Sequence, residues 1–510
     1  MHSESLIEYM LINYRWVFVV FFLLPCTVLG KIWSVFEKSL WSRHSGLVHE
    51  KNLSNIQRQI RHRNKHAPDQ VMCTARPSWR SMTIADMAYK KYMFNINVHL
   101  DGIILIDTET RVSNRTYSNT KIVRVEPGIT MGRLIPILIE SGWTVPVALD
   151  MEDLTIGGLV MGIGLESSSH KFGLFHESCI RYELITANGD LIICSKSVNT
   201  DVFESVPHSY GTLGFLTAVD IQIIPAKKYV KLKYHPIHTL EKMESRLIAE
   251  ISNLEHNDFV ELLIYNKDEG VLMTGKMTDG YRDTEKNVNR IGRYYKPWFF
   301  KHVESFLMTW KIGEEYIPLK DYYFRHNKSL FWEIQDIIPF GNHPVFRYLL
   351  GWLMPAKVAL LKLTQTDTIK QLYDKHHFID DFILPISSLK KSVEKFHTTL
   401  NIYPIWVCPL VLRPGKGLIH SYTAVDNMYI DIGLYGEPKV TKYNTAILRD
   451  LEIFVLKLKG FKMMYVGTYL NIDEFKTMFD HRLYDQIRQH LGCKSNFPEV
   501  YDKVNREVRV

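Results

Sequence analysis

The chain has 510 residues, 46% of them hydrophobic and 23% charged, and its formal net charge is +7 at pH 7. This length predicts two or three domains, and the composition is typical of a folded globular protein, which excludes a disordered chain and one embedded wholly in a membrane. The small net charge argues against a nucleic-acid-binding protein. The six cysteines are scattered without metal-ligand spacing. They indicate reduced thiols facing the cytosol, and no metal site is expected.

An apolar segment lies near the start of the chain. The run WVFVVFFLLPCTVLG, Trp16–Gly30, contains no charged residue. As a helix it is about 22 Å long, so it crosses the roughly 30 Å hydrocarbon core only if its flanking charges reach the interface. A signal anchor, a cleaved signal peptide and a buried or interfacial helix all fit this run. The basic residues that follow favour an anchor with a cytosolic body. We expect an anchor over residues 1–35 and a linker over 36–49, followed by a basic stretch, QRQIRHRNKH, that faces either lipid or solvent.

Short β-rich runs alternate with helical ones from residue 50 to residue 226. KIVRVEPG predicts a strand that ends at a Pro-Gly turn, and TMGRLIPILIESGW predicts a helix that stops at Gly142. RYELITANGDLIICSK predicts two strands joined at Asn188-Gly189, a strong hairpin signal. This part of the chain is therefore expected to form an α+β unit.

A second, mainly antiparallel sheet is predicted within residues 227–455. FVELLIYNKDEGVLMTGKMTD, IYPIWVCPLVLRP and MYIDIGLYGEP have strand patterns. Between them, FWEIQDIIPFGNHPVFRYLLGWLMPAKVALLKL is long and apolar, but charges and prolines interrupt it too often for a membrane-spanning helix. It indicates an interfacial or pocket-lining segment, and an ordinary buried helix pair is the alternative.

A glycine-rich loop occupies Asp153–Gly173, with the sequence DLTIGGLVMGIGLESSSHKFG. Such a loop lets backbone amides approach an anion without obstruction by Cβ atoms, and phosphates are the usual anion. The loop contains neither the GxxxxGK[ST] of a P-loop nor the GxGxxG and helical continuation of a Rossmann turn. The two commonest nucleotide loops are thus disfavoured. Taken alone, the loop is also compatible with a glycine-rich turn in a packed β-structure.

The glycine loop stands within an ordered series of segments. RVEPGITMGRLIPILIESGWTVPV, the loop itself, NGDLI, NTDVF and SYGTLGFLTAVDIQIIP follow one another between residues 124 and 225. This series resembles the flavin-binding domain of the vanillyl alcohol oxidase and p-cresol methylhydroxylase family. The resemblance implies an α+β fold with a two-subdomain FAD-binding domain over 50–226 and an antiparallel-sheet substrate domain over 227–455. It also implies a C-terminal segment over 456–510 that returns to the flavin domain.

The resemblance also implies which residues contact FAD. They are Thr155, Ile156, Gly157, Gly158, Leu159, Val160, Met161, Gly162, Ile163, Gly164, Leu165, Glu166, Ser167, Gly211, Thr212, Gly214 and Phe215. The family's first phosphate loop is rich in glycine, whereas the corresponding stretch here is CTARPSWRSM. Either the charge of Arg76 replaces the contacts that backbone amides would make to the phosphates, or this half of the site holds FAD less tightly. This loop offers no obvious attachment point for a covalent flavin, so FAD is expected to bind noncovalently.

Longer strings narrow the resemblance to the sterol side-chain reductases of this flavin family. They include LVMGIGLESSSHKFGLF, YYKPWFFKHVE, FWEIQDIIPFGN, YIDIGLYGEP and NFPEVYDK, and nearly the whole chain is covered. The resemblance implies NADPH-dependent reduction of a sterol C24–C25 double bond by a single-pass protein of the endoplasmic reticulum membrane, with the Golgi membrane as a second location. The implied partners are a sterol and the lipid bilayer, without nucleic acid, and an oligomer is left open. A flavin-dependent alcohol oxidase or dehydrogenase and a non-catalytic sterol-binding scaffold are the alternatives.

Reduction of an isolated alkene requires a proton donor in addition to a hydride donor. Tyr469, in the stretch MMYVGTYLNIDEF, is the first candidate, with packing at a domain interface as its alternative. Glu166 is the second, and its alternative is a hydrogen bond to the ribityl chain of the flavin. His170 either contacts the flavin or holds the SSSHKFG turn. Four cations either meet the 2′-phosphate of NADPH or are ordinary surface charges: Arg290, Arg293, Lys296 and Lys301.

Overall fold

The computed structural model describes residues 14–30, 46–83, 87–107, 121–280, 288–355, 357–363, 376–421, 427–440 and 444–506. In these ranges the strands are β1 Met72–Thr74, β2 Phe94–Ile96, β3 Ile103–Asp107, β4 Ile122–Val125, β5 Trp143–Thr144, β6 Cys179–Ile185, β7 Leu191–Ser195, β8 Phe215–Gln222, β9 Ile224–Pro225, β10 Tyr229–His238, β11 Phe259–Asn266, β12 Glu269–Thr278, β13 Gly313–Pro318, β14 Phe378–Pro385, β15 Ile405–Val411, β16 Met428–Gly436 and β17 Phe461–Lys462.

The α-helices of the same ranges are α1 Arg15–Phe18, α2 Gly46–His66, α3 Met131–Glu140, α4 Ile156–Met161, α5 Ser169–Phe172, α6 Thr200–Ser205, α7 Leu240–Ile251, α8 Phe299–Thr309, α9 Leu319–Tyr323, α10 Glu333–Ile337, α11 Pro344–Leu349, α12 Val358–Leu363, α13 Leu389–Thr399, α14 Thr445–Lys457, α15 Ile472–Met478, α16 His481–His490 and α17 Val500–Val504. Helices and antiparallel sheets are mixed, so the predicted α+β class is confirmed.

A five-stranded antiparallel sheet in the order β3-β4-β8-β6-β7 forms the centre of the N-terminal half. The predicted hairpin is confirmed, because Ile185 pairs with Leu191 across the Asn188-Gly189 turn. Gly189 adopts a φ of +89°, which favours glycine at this position. Strands β1 and β2 form a separate parallel pair.

Helix α2 docks on this sheet and contains the basic stretch QRQIRHRNKH. The His49 ring lies 2.7 Å from Glu126 Oε1 and 3.1 Å from Glu183 Oε1. Burial alone would lower the pKa of His49, but the two carboxylates raise it to about 9. Arg63 is buried and donates 2.7 Å to the carbonyl of Gln70, whereas Arg61 is exposed. One side of the basic stretch therefore packs against the rest of the protein, and the other side is exposed.

An eight-stranded antiparallel sheet in the order β13-β10-β12-β11-β15-β16-β14-β17 dominates the C-terminal half. Alternate side chains of a strand point to opposite faces. Leu262 and Val407 pack on one face with the helices α7, α13 and α14. Leu263 and Trp406 belong to the other face, which joins the core of the N-terminal half. This inner face positions the candidate site.

The apolar N-terminal run is helical through residue 30, with a π-helical turn at Val19–Leu23. Val20 and Leu23 are buried and the turn contacts α12, while Phe21 and Phe22 are exposed. Among the described residues, no helix combines the length and the apolar character needed to cross a bilayer. The predicted transmembrane helix is therefore not confirmed.

The last described segment packs back on the N-terminal half. Tyr484 and Thr212 have their hydroxyl oxygens 2.7 Å apart, and Arg488 donates 2.9 Å to the carbonyl of Thr212. Phe497 packs edge-on against Phe215 at 5.3 Å. Thr212 is consequently held by the C-terminal helices.

Candidate active site

A cavity of about 1090 Å³ lies between the five-stranded sheet, the glycine loop and the inner face of the eight-stranded sheet. Pockets for one small ligand typically measure about 300–1,000 Å³. The cavity therefore has room for a large cofactor and part of a second molecule.

The first half of the glycine loop lines the cavity. Thr155 caps α4, and Gly157 packs so tightly that a Cβ there would lie 2.7 Å from Pro127. Gly158 differs, because it is exposed and a Cβ would meet only the Thr155 hydroxyl, at 3.1 Å. Gly157 thus serves packing within the fold, whereas Gly158 leaves open space on the cavity side.

Most of the predicted FAD-contact residues lie on the cavity wall. They are Thr155, Gly157, Gly158, Leu159, Met161, Gly162, Ile163, Gly164, Leu165, Gly211, Gly214 and Phe215. The others are buried away from it: Ile156, Val160, Glu166, Ser167 and Thr212.

Cations line the part of the cavity next to the glycine loop, which we call its cation-rich end. The loop that contains Arg76 lines it, as do Lys90 and Lys503. Lys90 donates to the carbonyls of Thr74 and Arg76, at 2.9 and 2.7 Å, which fixes the loop. Burial lowers the pKa of both Lys90 and Arg76, so a bound anion would be favourable here.

The second half of the glycine loop turns away from the cavity and docks on the inner face of the large sheet. Arg325 donates to both carboxylate oxygens of Glu166 at 3.0 Å, and Ser167 donates its N–H and its hydroxyl to Oε2 at 2.6 Å. Arg325 also donates to Glu261, at 2.8 and 2.7 Å. Glu166 therefore links the loop to the sheet, and the predicted flavin contact and acid role find no support in its position.

Glu166, Glu261 and Arg325 form a buried triad. Burial and charge shift the pKa values of its two acids in opposite directions. Burial raises the pKa of Glu166, although Arg325 opposes the rise. Burial also acts to raise the pKa of Glu261, but Arg325 and His326 hold it well below its usual range. Trp406 adds a hydrogen bond of 3.0 Å to Glu261.

Tyr469, the first predicted proton donor, also lies outside the cavity wall. Arg506 donates to the Tyr469 hydroxyl oxygen at 3.0 Å, and the backbone N–H of Tyr469 donates to Glu452 at 2.9 Å. Tyr465, four residues earlier in the same stretch, does line the cavity and donates 2.6 Å to Asp381. The predicted stretch therefore reaches the cavity, but through Tyr465 and not through Tyr469.

The other predicted contacts are also placed away from the cavity wall. His170 lies 3.0 Å from the carbonyl of Ser167 and 3.3 Å from that of Asn257, and burial lowers its pKa to about 4. It holds the turn, which was one of its two predicted roles. The four cations proposed for NADPH do not line the cavity: Arg290, Arg293, Lys296 and Lys301.

The far end of the cavity is apolar and aromatic. Phe331 packs 5.1 Å from Trp406 and 5.2 Å from Tyr435. Leu330 and Phe331 both adopt a positive φ, +47° and +60°, which is rare for two successive residues other than glycine. Further apolar residues that line the cavity are Ile337, Val358, Leu361, Ile379 and Met463. The aromatic-rich segment thus contributes to a pocket, as one of its predicted roles requires.

Comparison with known proteins connects this geometry to a family. The profile of a family described as "FAD binding domain" matches residues 74–195. The chain is similar to the Delta(24)-sterol reductase of Homo sapiens, with 46% identity over 510 residues, 99% of this chain and 96% of the human protein. It is also similar to the Delta(24)-sterol reductase homolog of Caenorhabditis elegans (38% over 520 residues, 99% and 97%) and to the Delta(24)-sterol reductase of Pisum sativum (32% over 534 residues, 97% and 92%). The chain belongs to the delta(24)-sterol reductase family. It is accordingly an oxidoreductase with an FAD-binding domain.

Within this delta(24)-sterol reductase family member, the cation-rich end of the cavity fits FAD. The match over 74–195 includes both the Arg76 loop and the glycine loop. Gly158 has no side chain to project into the space that the diphosphate needs. The positive charge that a diphosphate requires comes from Arg76, Lys90 and Lys503.

Two acids on the cavity wall were missed by the sequence analysis. Asp150 is buried, and its Oδ2 has no hydrogen-bond partner among the described residues. Burial raises the pKa of Asp150 well above its usual range. Asp381 is likewise buried, in the middle of β14. Asp150 stands three residues before the start of the glycine loop, and this position was a usable signal. Nothing in the strand pattern distinguishes Asp381.

Proposed function

We propose that this protein is an FAD-dependent reductase that uses NADPH to saturate the C24–C25 double bond of a sterol side chain. The names of its relatives support the substrate class. The observation that carries the proposal is the single cavity that runs from the cation-rich end at Gly158 to the aromatic end at Phe331 and Trp406. A flavin and a sterol side chain can therefore share one cavity.

Each end of the cavity has a distinct task in this proposal. Arg76, Lys90 and Lys503 hold the diphosphate, and Gly158 gives the backbone room to approach it. When bound, FAD supplies hydride transfer between NADPH and a carbon acceptor. Phe331 and Trp406 hold the apolar side chain and exclude water from it.

The alkene also needs a proton at the carbon that does not receive hydride. The wall supplies two buried carboxyl groups, of Asp150 and Asp381, and burial raises the pKa of both. Each is thereby kept closer to the protonated form that an acid catalyst requires.

We further propose that the N-terminal segment holds the protein at the endoplasmic reticulum membrane, facing the cytosol. The exposed Phe21 and Phe22 support contact with lipid, and helix α12, which the same segment contacts, lines the cavity through Val358 and Leu361. A sterol could then pass from the bilayer to the cavity over a short distance. Full-length protein that stays in the soluble fraction after cell lysis would refute this location.

The function is tested with detergent-purified, FAD-loaded protein, NADPH and desmosterol, a sterol with this double bond. The expected result is a saturated sterol product, formed in equal amount to the NADP⁺ released and absent when NADPH is omitted. Absence of product despite bound FAD would overturn the proposal. Formation of H₂O₂ from an alcohol without NADPH consumption would instead indicate the oxidase alternative.

A further inference from the structure

Three side chains from separate segments meet at the aromatic end of the cavity. Asp381 on β14 accepts hydrogen bonds from the hydroxyl of Tyr435 on β16 and, at 2.6 Å, from that of Tyr465. All three line the cavity. Asp381 and Tyr435 are buried, whereas Tyr465 is half-buried.

The backbone is adapted to this contact. Gly433 pairs with Asp381 in the β14–β16 register. A Cβ at position 433 would clash with the Tyr435 hydroxyl and would lie 2.8 Å from Asp381 Oδ1. The missing side chain thus provides the space in which the Tyr435–Asp381 hydrogen bond forms.

A group of buried carboxyls stands behind Asp381. Its N–H donates 3.0 Å to Asp380, whose other oxygen accepts 2.6 Å from Lys462. Lys462 also donates 2.9 Å to Glu452. Asp431, on the neighbouring strand, is buried, and neither of its carboxylate oxygens has a partner among the described residues.

Full ionisation of these groups would be very unfavourable. It would leave four buried carboxylates with one ammonium, that of Lys462, whose ion pairs within the described part of the chain are with Asp380 and Glu452. Uncompensated charge in such an environment costs several kcal/mol. Burial raises the pKa of Asp431 well above its usual range, that of Asp380 to about 7 and that of Asp381 to about 6. The cluster therefore holds protons near neutral pH.

Tyr465 is also tied to the flavin end of the cavity. The hydroxyl of Thr83 donates to the Tyr465 carbonyl. Thr83 belongs to the lining segment that begins at Cys73 and contains Arg76. Tyr465 therefore lies where the cation-rich end and the aromatic end meet, which is where the reacting double bond has to be held.

We propose that Tyr465 is the catalytic proton donor of the sterol reduction and that Asp381 resupplies its proton. This inference rests on the proposed function. When Asp381 is protonated, its O–H donates to the Tyr465 oxygen and leaves the Tyr465 O–H free to point at the double bond. The π bond breaks as one alkene carbon takes this proton and the other takes the hydride that originates from NADPH. The Asp381 proton passes to Tyr465, and Asp381 then takes a replacement proton from solvent in the cavity.

The test compares Tyr465→Phe and Asp381→Asn with Asp150→Asn, which changes the other buried lining acid in the same way. Three quantities are measured on full-length protein: FAD content, the rate at which NADPH bleaches the bound FAD, and the rate of sterol saturation. We expect the first two to be near wild type in Tyr465→Phe and Asp381→Asn. Sterol saturation should fall by about 10²–10⁴-fold in both, the usual contribution of general acid catalysis.

The pH profile separates a proton-transfer role from a structural one. Because protonated Asp381 is the active form, wild-type turnover should be highest below its pKa of about 6 and should fall as pH rises through it. The groups that act on Asp381 are the hydroxyls of Tyr435 and Tyr465 and the charges of Lys462, Asp380 and Asp431. In Asp381→Asn the residual rate should lose this dependence.

The outcomes distinguish the two proposals. If the wild type saturates the sterol and either Tyr465→Phe or Asp381→Asn does so at a near-normal rate, only the proton relay is overturned. The same follows if Asp150→Asn is the variant that loses turnover while it retains FAD. If wild type itself forms no saturated sterol, the proposed function fails and the relay fails with it. Retained FAD shows that a variant has folded, and Gly433→Ala gives a second, indirect perturbation, expected to lower turnover without loss of FAD.

Discussion

Replacement of Gly158 by aspartate is expected to empty the protein of FAD while leaving it folded. Gly158 faces the cavity, and a Cβ there meets only the Thr155 hydroxyl, at 3.1 Å, so a side chain fits once this hydroxyl shifts by a few tenths of an ångström. The new carboxylate would stand against the diphosphate. Two like charges about 4 Å apart repel by roughly 4 kcal/mol in the effective dielectric of a protein, which is a loss of about a thousandfold in affinity.

The measurement is the flavin-to-protein ratio after purification, and circular dichroism reports the fold. Gly415→Asp is the matched control, because Gly415 is exposed and a Cβ there makes only an ordinary contact with His420. The control should keep its flavin. An unchanged flavin ratio in Gly158→Asp would show that the glycine loop does not face the cofactor.

Replacement of Arg325 by methionine should destabilise the protein by about 3–5 kcal/mol, the usual cost of leaving buried carboxylates unpaired. Arg325 is buried and is shared by Glu166 of the glycine loop and Glu261 of the large sheet. Its loss leaves both acids without this partner and loosens the junction between the loop and the sheet. Chemical denaturation followed by tryptophan fluorescence, at a fixed FAD concentration, measures the effect.

A surface pair provides the comparison. Arg246 is half-exposed and pairs with Glu250 one helical turn away, at 2.7 Å. Arg246→Met should cost less than about 0.5 kcal/mol. Adding Glu166→Gln to Arg325→Met should recover part of the loss, because one buried charge is removed. If Arg325→Met were as stable as wild type, the triad would not hold the loop to the sheet.

Local sequence patterns predicted much of the fold. The hairpin at Asn188-Gly189 follows from turn chemistry that depends on two residues. The glycine loop became interpretable through its order among neighbouring segments, and the cavity wall includes most of its predicted FAD contacts. Such features depend on short stretches of chain, so the sequence alone contains them.

The aromatic end of the cavity depends on long-range register, which local patterns do not specify. Alternation along β14 and β16 indicates which residues share a face, but not that Asp381 would lie opposite Gly433. Tyr465 and Tyr469 belong to one irregular stretch whose lack of periodicity gives no basis for choosing between them. The ion pair of Glu166 was not predictable for a similar reason, because its partner Arg325 lies 159 positions away in the chain.

The central claim is that the flavin and the sterol react within one cavity, and an anaerobic single-turnover experiment tests it most directly. Stoichiometric NADPH first bleaches the FAD-loaded protein, and desmosterol is then added while the flavin absorbance and the sterol are followed together. We predict that the yellow absorbance returns as one sterol per flavin becomes saturated. A flavin that stays bleached beside unconverted sterol would contradict the account.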